Sequence, residues 1–151
     1  MQRLVDSNVL LALVLEAHPH HEAARAWVER LASGDRLMLC RATQTSFLRL
    51  LTTEAILKAE TRTNGEALEV LESLMSSSQF GFTADEPPSL WDRWRQLAVL
   101  GVAAPKRWMD AYLAAWAIEA GMHLVTLDRG FTQFEKSGLN LVLLGRTSVV
   151  P

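Results

Sequence analysis

The stretch from Asp110 to Asp128, DAYLAAWAIEAGMHLVTLD, constrains the fold of this chain more than any other. Its first half has apolar residues at helical spacing, Gly121 stands where a helix C′ residue belongs, and a short apolar run then predicts a buried strand. In an α/β protein a helix starts near the carboxyl end of one strand and the next strand returns to that edge. Both aspartates should therefore reach the same edge of a sheet, with a positive charge between them.

Strand and helix patterns alternate along the rest of the chain. The predicted strands are Leu4–Val5, Leu37–Cys40, Phe80–Thr83, Leu124–Leu127 and Leu141–Leu144. The predicted helices are Val9–Ala17, Glu22–Leu31, Thr43–Thr53, Asn64–Ser76, Ser89–Gly101, Asp110–Ala120 and a short piece at Phe131–Phe134. A loop or frayed helix is expected over Glu54–Thr63 and a tail over Thr147–Pro151. The order predicts a single α/β domain, residues 1–151, built as a three-layer α/β/α sandwich with a parallel sheet of about five strands.

The composition limits the kinds of protein that this chain can be. The 151 residues are 49% hydrophobic, enough for one compact domain that needs no metal or disulfide to hold its fold. A net charge of −2 argues against a nucleic-acid binder that works through its overall field, although a local basic patch is compatible with it. The single cysteine, Cys40, fits a reducing compartment, and the longest apolar run, Val9–Leu15, is too short to cross a membrane. We therefore expect a cytoplasmic protein.

Three histidines follow the first predicted helix, in the turn His18-Pro19-His20-His21. A metal site is one interpretation of them, and turn or cap residues are the other. A helix of about nine residues separates them from Asp6 by roughly 13 Å, and no fourth ligand is suitably spaced. The sequence therefore favours a turn.

Three aspartates, Asp6, Asp110 and Asp128, are predicted to converge at the sheet edge, with Gln44 as a fourth polar group. Each aspartate alone has a local explanation: a helix cap, a helix-dipole partner or a turn residue. Together they present hard oxygen ligands, which suit Mg²⁺ or Mn²⁺ better than Zn²⁺. The implied chemistry is metal-assisted hydrolysis of a phosphate ester.

Three segments carry a resemblance to a known family: RLVDSNVLLALVLEAHPHHEAARAW, CRATQTSFLRLLT and MDAYLAAWAIEAGMHLVTLDRGF. The sequence resembles PIN-domain ribonucleases, and most closely the VapC-type toxins of bacterial toxin–antitoxin pairs. The resemblance runs from Arg3 to about Gly145. The D-x-N opening, the D-A-Y-L-A helix start and the T-x-D-R-G-F ending are in combination a specific signal.

The resemblance implies a site in which acidic residues hold Mg²⁺ or Mn²⁺ and RNA is cut. Asp6, Asp110 and Asp128 match the first, third and fourth acids of the family, and Gln44 stands where the second is usually glutamate. An amide brings no charge, so metal affinity should be lower, or Gln44 should act through a water. We predict that the three aspartates bind one or two metal ions, one of which activates water for in-line attack that leaves a 5′-phosphate.

Further residues are assigned supporting roles. Asn8 matches a family position that supports the site by a hydrogen bond, and Thr126 is expected to act similarly. Basic residues expected near the edge, as RNA-phosphate contacts or as solvated surface charges, are Arg49, Lys106, Arg107 and Arg129. Trp108 is expected in the core, with stacking on a base or lining the rim of the site as the alternatives. The resemblance also implies a VapB-like antitoxin partner and a homodimer.

Two other functions compete with this one. A haloacid-dehalogenase-like phosphatase would use Asp6 as a nucleophile, but that family has a second aspartate where this chain has Asn8, and Lys106 is the only candidate for its lysine. A PIN scaffold that binds RNA or protein without catalysis, made inert by Gln44, is the stronger rival.

Overall fold

The computed structural model describes residues 1–145, and its five strands form one parallel sheet. The strands are β1 (Gln2–Val5), β2 (Arg36–Leu39), β3 (Phe80–Phe82), β4 (His123–Thr126) and β5 (Leu141–Leu143). Their order in the sheet is β3-β2-β1-β4-β5, and each neighbouring pair is parallel. The predicted five-stranded parallel sheet is confirmed.

Helices cover both faces of this sheet. They are α1 (Ser7–Val14), α2 (His21–Glu29), α3 (Arg41–Leu51), α4 (Glu54–Leu57), α5 (Asn64–Met75), α6 (Leu90–Ala98) and α7 (Arg107–Glu119), with 3-10 helices at Lys58–Glu60 and Arg129–Ser137. Alternate strand residues face opposite layers: Val5 and Val125 join the core under α1, α3 and α5, whereas Leu4 and Leu124 join the core under α6 and α7. The predicted three-layer sandwich is confirmed.

Helix boundaries differ from the prediction in places. The first helix starts at Ser7 and ends at Val14, because Leu15 is extended and terminates it. The third helix starts at Arg41 with Cys40 at its N-cap, so Thr43 lies inside the first turn and does not cap it.

The remaining differences concern two later helices and a loop. The sixth helix ends at Ala98, short of Gly101. The last α-helix starts at Arg107, three residues before Asp110, and Asp110 lies in its first turn as expected. The segment Glu54–Thr63 contains a helical turn and a 3-10 turn where a loop or frayed helix was expected. The predicted tail Thr147–Pro151 lies outside the described residues, and within residues 1–145 no helix is long and apolar enough to span a membrane.

The strand order produces a crevice of the kind in which α/β proteins place their functional sites. From β1 the chain first adds β2 and β3 on one side, and then returns to add β4 and β5 on the other. In such sheets the loops at the carboxyl ends of the two strands on either side of the reversal diverge and leave a crevice. Asp6 directly follows β1, and Asp128 follows β4 by two residues.

Lys58 has a backbone conformation that is costly for any residue with a Cβ. Its φ is 51° and its ψ is −117°, and its carbonyl accepts hydrogen bonds from the backbone and hydroxyl of Thr61. Such a conformation is open mainly to glycine and costs other residues on the order of 1–3 kcal/mol. We expect Lys58→Gly to raise the free energy of unfolding by about 1 kcal/mol after the added chain entropy of glycine is subtracted.

Thermal denaturation checks this prediction, with Lys58→Ala as the matched control. Alanine also removes the charged side chain but retains the Cβ, so it should not stabilise the protein. Equal melting temperatures for the two variants would show that the backbone conformation of Lys58 costs nothing.

Candidate acidic site at the carboxyl edge of the sheet

Asp6 is held at the end of the central strand and is buried there. Its backbone N–H donates to the carbonyl of Val125, and its side chain is only 8% exposed. It occupies the N-cap position of α1, but the side chain makes no capping hydrogen bond. Its Oδ2 instead accepts from the hydroxyl of Thr126 at 2.7 Å. Helix capping therefore does not explain why a carboxylate stands at this position.

The pKa of Asp6 lies above its ordinary value. Burial is the main cause, and the negative charges of Asp110 and Asp128 raise the pKa further, while the hydrogen bond from Thr126 opposes the rise. The two distant aspartates are thus close enough to act on Asp6 electrostatically, although they follow it by more than 100 residues. The structure brings all three carboxylates to one edge of the sheet.

Thr126 connects Asp6 with the turn that carries Asp128. Its hydroxyl donates to Asp6 and accepts from the backbone N–H of Asp128 at 3.0 Å and from the Asn8 amide at 3.2 Å. The Oδ1 of Asn8 in turn accepts from the N–H of Leu127 at 3.2 Å. Thr126 is fully buried, so these bonds form without competition from water. The network fixes the direction of the Asp6 side chain relative to β4.

Asp110 and Asp128 share one cation. The ammonium of Lys106 lies 2.5 Å from Asp128 Oδ2 and 3.7 Å from Asp110 Oδ2. Its hydrogen bond lowers the pKa of Asp128, whereas burial raises the pKa of Asp110 and Lys106 opposes that rise. Asp128 Oδ1 also accepts from the N–H of Gly130, so the turn role expected of it is present as well. The positive charge predicted between two of these carboxylates is supplied by Lys106.

The donor set suits a hard, water-rich cation. Its oxygens come from Asp6, Asp110 and Asp128, and carboxylate oxygens favour Mg²⁺ or Mn²⁺ over Zn²⁺. Within residues 1–145 no three carboxylate, imidazole or thiol side chains are arranged closely enough to enclose an ion by themselves. Mg²⁺ does not need such a cage, because it keeps several waters and binds through one or two carboxylates plus substrate oxygens. The residues present fit such an ion.

Gln44 lies in the first turns of α3 and is buried, at 7% exposure. Its Oε1 accepts from Arg41 at 2.6 Å, and within the described part of the chain no hydrogen bond joins it to the three aspartates. The Arg41 guanidinium also stacks over the ring of Phe82, 4.6 Å from the ring centre. Sequence analysis missed Arg41, although its i, i+3 spacing to Gln44 would have indicated the pair.

The four basic residues proposed to contact RNA are not equivalent in the structure. Lys106 lies at the carboxylates, and Arg129 is exposed in the adjoining turn. Arg107 is tied to the fold, because it donates to the carbonyl of Leu97 and to Gln133 and stacks on Phe134. Arg49 lies in the last turn of α3, roughly 12 Å from the end of that helix nearest the site, so the structure does not bring it to this edge.

Two further expectations concern histidine and tryptophan. His21 starts α2 and places Nδ1 2.8 Å from the carbonyl of Ala12, and His18 hydrogen-bonds the N–H of His20. These are turn and cap contacts of the kind favoured from the sequence. The expected burial of Trp108 is wrong: the residue is 58% exposed, and its ring meets that of Trp94 in a T-shaped contact with 6.3 Å between the ring centres.

The fold and the acidic edge together define the class of protein called PIN domains, and the model of that family matches residues 3–137. Ribonuclease VapC41 of Mycobacterium tuberculosis is 42% identical over 146 residues, which cover 95% of this chain and 99% of the relative. Ribonuclease VapC29 of the same species is 33% identical over 130 residues, 86% of this chain and 88% of the relative. The chain therefore belongs to the PIN-domain family and, within it, to the VapC ribonucleases.

Solved structures have the same fold at low sequence identity. VapBC2 from Rickettsia felis, bound to a DNA fragment from its promoter, superposes with a TM-score of 0.67 at 14% identity, covering 96% of this chain and 100% of the other. Mycobacterium tuberculosis VapC20, a toxin that cleaves the sarcin–ricin loop, gives 0.64 at 14% identity, with 92% and 96% covered. FitAcB from Neisseria gonorrhoeae gives 0.57 at 22% identity, with 93% and 96% covered.

Proposed function

We propose that this single PIN domain is a Mg²⁺- or Mn²⁺-dependent endoribonuclease that acts in the cytoplasm as the toxin of a toxin–antitoxin pair. The observation that carries the proposal is the convergence of Asp6, Asp110 and Asp128 at the crevice of a VapC-family fold. A bound divalent ion would supply an acidified water and neutralise charge on the phosphate. Asp6, Asp110 and Asp128 would hold this ion, and Gln44 would complete the site through its amide oxygen or a bridging water.

The chain's own residues prepare the edge for this task. The hydroxyl of Thr126 favours the charged form of Asp6 against the opposing effect of burial. Asn8 holds the β4 end in register with α1 and thereby sets the distance between Asp6 and the turn at Asp128. Arg129, exposed beside that turn, is suited to bind RNA phosphates.

Cleavage of a mixed pool of structured and single-stranded RNA tests the function. We expect cleavage with Mg²⁺ or Mn²⁺, none with EDTA, and none of DNA of the same sequences. If the protein binds Mn²⁺ but cleaves no RNA in the pool, the non-catalytic scaffold is favoured. The structural support for that alternative is the neutral side chain of Gln44, which is hydrogen-bonded to Arg41. If Mn²⁺ does not bind, the proposed three-aspartate site is wrong.

Replacing Gln44 by glutamate tests whether that position reaches the metal. A fourth carboxylate adds charge at the site, but Arg41 already bonds this side chain and would neutralise part of it. We therefore expect Mn²⁺ to bind Gln44→Glu about threefold to tenfold more tightly than the wild type, measured by calorimetric titration. Gln96→Glu adds the same charge on α6 and is the matched control. Equal affinity in Gln44→Glu and wild type would exclude Gln44 from the metal site.

An antitoxin partner is proposed on the basis of the solved relatives, which include VapBC-1 from nontypeable Haemophilus influenzae and FitAB bound to a DNA fragment. The partner should be a VapB-like protein that binds this chain and suppresses its activity. Co-expression with the product of a neighbouring small reading frame, followed by co-purification, is the direct test. Recovery of active, unbound protein from that co-expression would contradict the assignment.

A homodimer is proposed through an exposed apolar surface between α6 and α7, formed by Val99, Leu100, Val102, Trp108 and Met109. Val102 is 74% exposed, and four of these residues line a groove of about 430 Å³. Contiguous exposed apolar side chains are a mark of protein–protein contact surfaces. We expect light scattering to give twice the 16.8 kDa chain mass for the wild type and the monomer mass for Val102→Glu.

The control for this surface is Ile56→Glu, because Ile56 is 54% exposed on the distant helix α4. It places the same charge outside the proposed interface and should leave the dimer intact. A wild type that is monomeric, or a dimer that dissociates only in Ile56→Glu, would contradict the assignment of the interface.

A further inference from the structure

Lys106 has an unusual position for a surface lysine. It precedes α7 directly, and its ammonium lies between two carboxylates that come from different elements, Asp110 in the first turn of α7 and Asp128 after β4. The side chain is nevertheless 72% exposed. An exposed lysine arm can swing into solvent without disturbing the packing beneath it, because its stem fills no space in the core.

A bound divalent ion would bring its charge to the carboxylates of Asp110 and Asp128, which the ammonium of Lys106 contacts in this structure. Among the described residues, Lys106 makes every salt bridge in which Asp110 or Asp128 takes part, and Asp6 has none. Arg107 is bound to Leu97 and Gln133 and makes no salt bridge with the aspartates among the described residues, although its charge also acts to lower the pKa of Asp110. Lys106 is therefore the cation in direct contact with Asp110 and Asp128, and a divalent cation attracted to the same oxygens would have to displace or repel it.

We propose that Lys106 is an internal counter-ion of the acidic edge, which stabilises the metal-free protein and competes with the divalent metal for Asp110 and Asp128. The inference rests on the proposed metal site. Metal binding then requires the lysine arm to leave the carboxylates, so the metal affinity of the wild type is lower than its three carboxylates alone would provide. The lysine thereby sets the metal concentration at which the site fills.

Metal titration of purified full-length variants tests this proposal without any measurement of activity. Lys106→Met removes the charge and keeps the length of the side chain, Lys106→Arg keeps the charge, and Lys136→Met removes an exposed lysine from the 3-10 helix Arg129–Ser137. We expect Mn²⁺ to bind Lys106→Met about tenfold more tightly than wild type, while Lys106→Arg and Lys136→Met stay close to wild type.

Thermal denaturation gives a second and independent result. Without metal, Lys106→Met should melt below wild type and Lys136→Met, because the carboxylates then repel each other with no cation between them. Saturating Mn²⁺ should raise the melting temperature of Lys106→Met more than that of wild type. High salt, which screens the repulsion, should narrow the difference between the metal-free proteins.

The outcomes separate this inference from the proposed function. If Lys106→Met binds Mn²⁺ no more tightly than wild type, the counter-ion role is overturned and the metal site stands. If Lys106→Met binds Mn²⁺ more tightly but melts at the same temperature as wild type without metal, Lys106 does not stabilise the metal-free protein and that half of the proposal is overturned. If neither protein binds Mn²⁺, the proposed metal site fails and the competition fails with it.

Discussion

Replacing Asp6 by asparagine is expected to reduce metal-dependent RNA cleavage at least about a hundredfold. Substitution of groups that merely orient a metal ligand commonly costs ten- to a hundredfold in activity or affinity, so loss of Asp6 as the proposed charged ligand should reach at least the upper figure. The amide is nearly the same size as the carboxylate, and its oxygen can still accept from Thr126. The measurement is the initial rate of cleavage of one RNA substrate at saturating Mn²⁺.

The same substitution should stabilise the metal-free protein near neutral pH. Burial raises the pKa of Asp6 above its unfolded value, so the folded state binds the proton more tightly. The free energy of unfolding therefore falls as the pH rises from the unfolded pKa through the folded pKa, and the deficit is complete above the folded pKa. Asp6→Asn lacks this deficit. Its melting temperature should exceed that of wild type at pH 7, and the difference should shrink as the pH falls toward the unfolded pKa.

Asp85→Asn is the matched control, because Asp85 is an exposed aspartate in the loop before α6. It makes the same chemical change after β3, which β2 separates from β1, and should alter neither the rate nor the pH profile. An Asp6→Asn protein that retains wild-type cleavage would remove Asp6 from the catalytic site. A variant that is inactive but less stable than wild type at pH 7 would indicate a structural carboxylate.

Replacing Thr126 by valine is expected to lower the free energy of unfolding by about 2–3 kcal/mol. Valine has nearly the same shape, so no cavity forms and the effect comes from the hydroxyl. Its removal takes the hydrogen bond from the Asp6 carboxylate and leaves the N–H of Asp128 without its acceptor. For a chain of this length that corresponds to a fall in melting temperature of roughly 5–10 °C, which calorimetry measures directly.

Thr126→Ser distinguishes the contribution of the Thr126 hydroxyl to stability from that of its packed methyl group. Serine keeps the donor and both acceptor roles but loses one methyl group from a fully buried position, so it should cost less than valine and keep most of the activity. If valine proves the milder substitution, the methyl group and not the hydrogen-bond network accounts for the role of Thr126.

Local patterns of apolar and polar residues in the sequence were sufficient to predict the architecture of the fold. Short apolar runs ending in polar residues predicted all five strands, since a strand buried on both faces must be apolar and must stop where the chain reaches solvent. Helix ends were predicted less well. Cys40 is the N-cap residue of α3 and Lys106 is that of α7, and neither side chain makes a capping hydrogen bond. Capping preference misplaced the start of α3 at Thr43, because most of a helix's stability in a protein comes from tertiary packing and not from its cap.

The expected locations of residues beside the site rested on their sequence position alone. Sequence position predicts where a side chain lies less well than an apolar pattern predicts a strand or helix. Arg49 and Arg107 both lie in helices that start near the edge, but one is at the far end of its helix and the other is bonded to Leu97. Trp108 was expected in the core, yet it lies exposed at the surface. The direction of a side chain depends on the neighbouring element, and one sequence does not specify that element's position.

The sequence by itself determined the alternation of strands and helices, the family, and the arrival of three aspartates at strand ends and a helix start. These follow from period, spacing and motif, which are local properties. Only the tertiary structure decided that Thr126 supports Asp6, that Arg41 bonds Gln44, and that Lys106 lies between Asp110 and Asp128. Lys106 and Asp128 are 22 residues apart in the chain. Their side chains meet because α7 begins at the same edge of the sheet at which β4 ends.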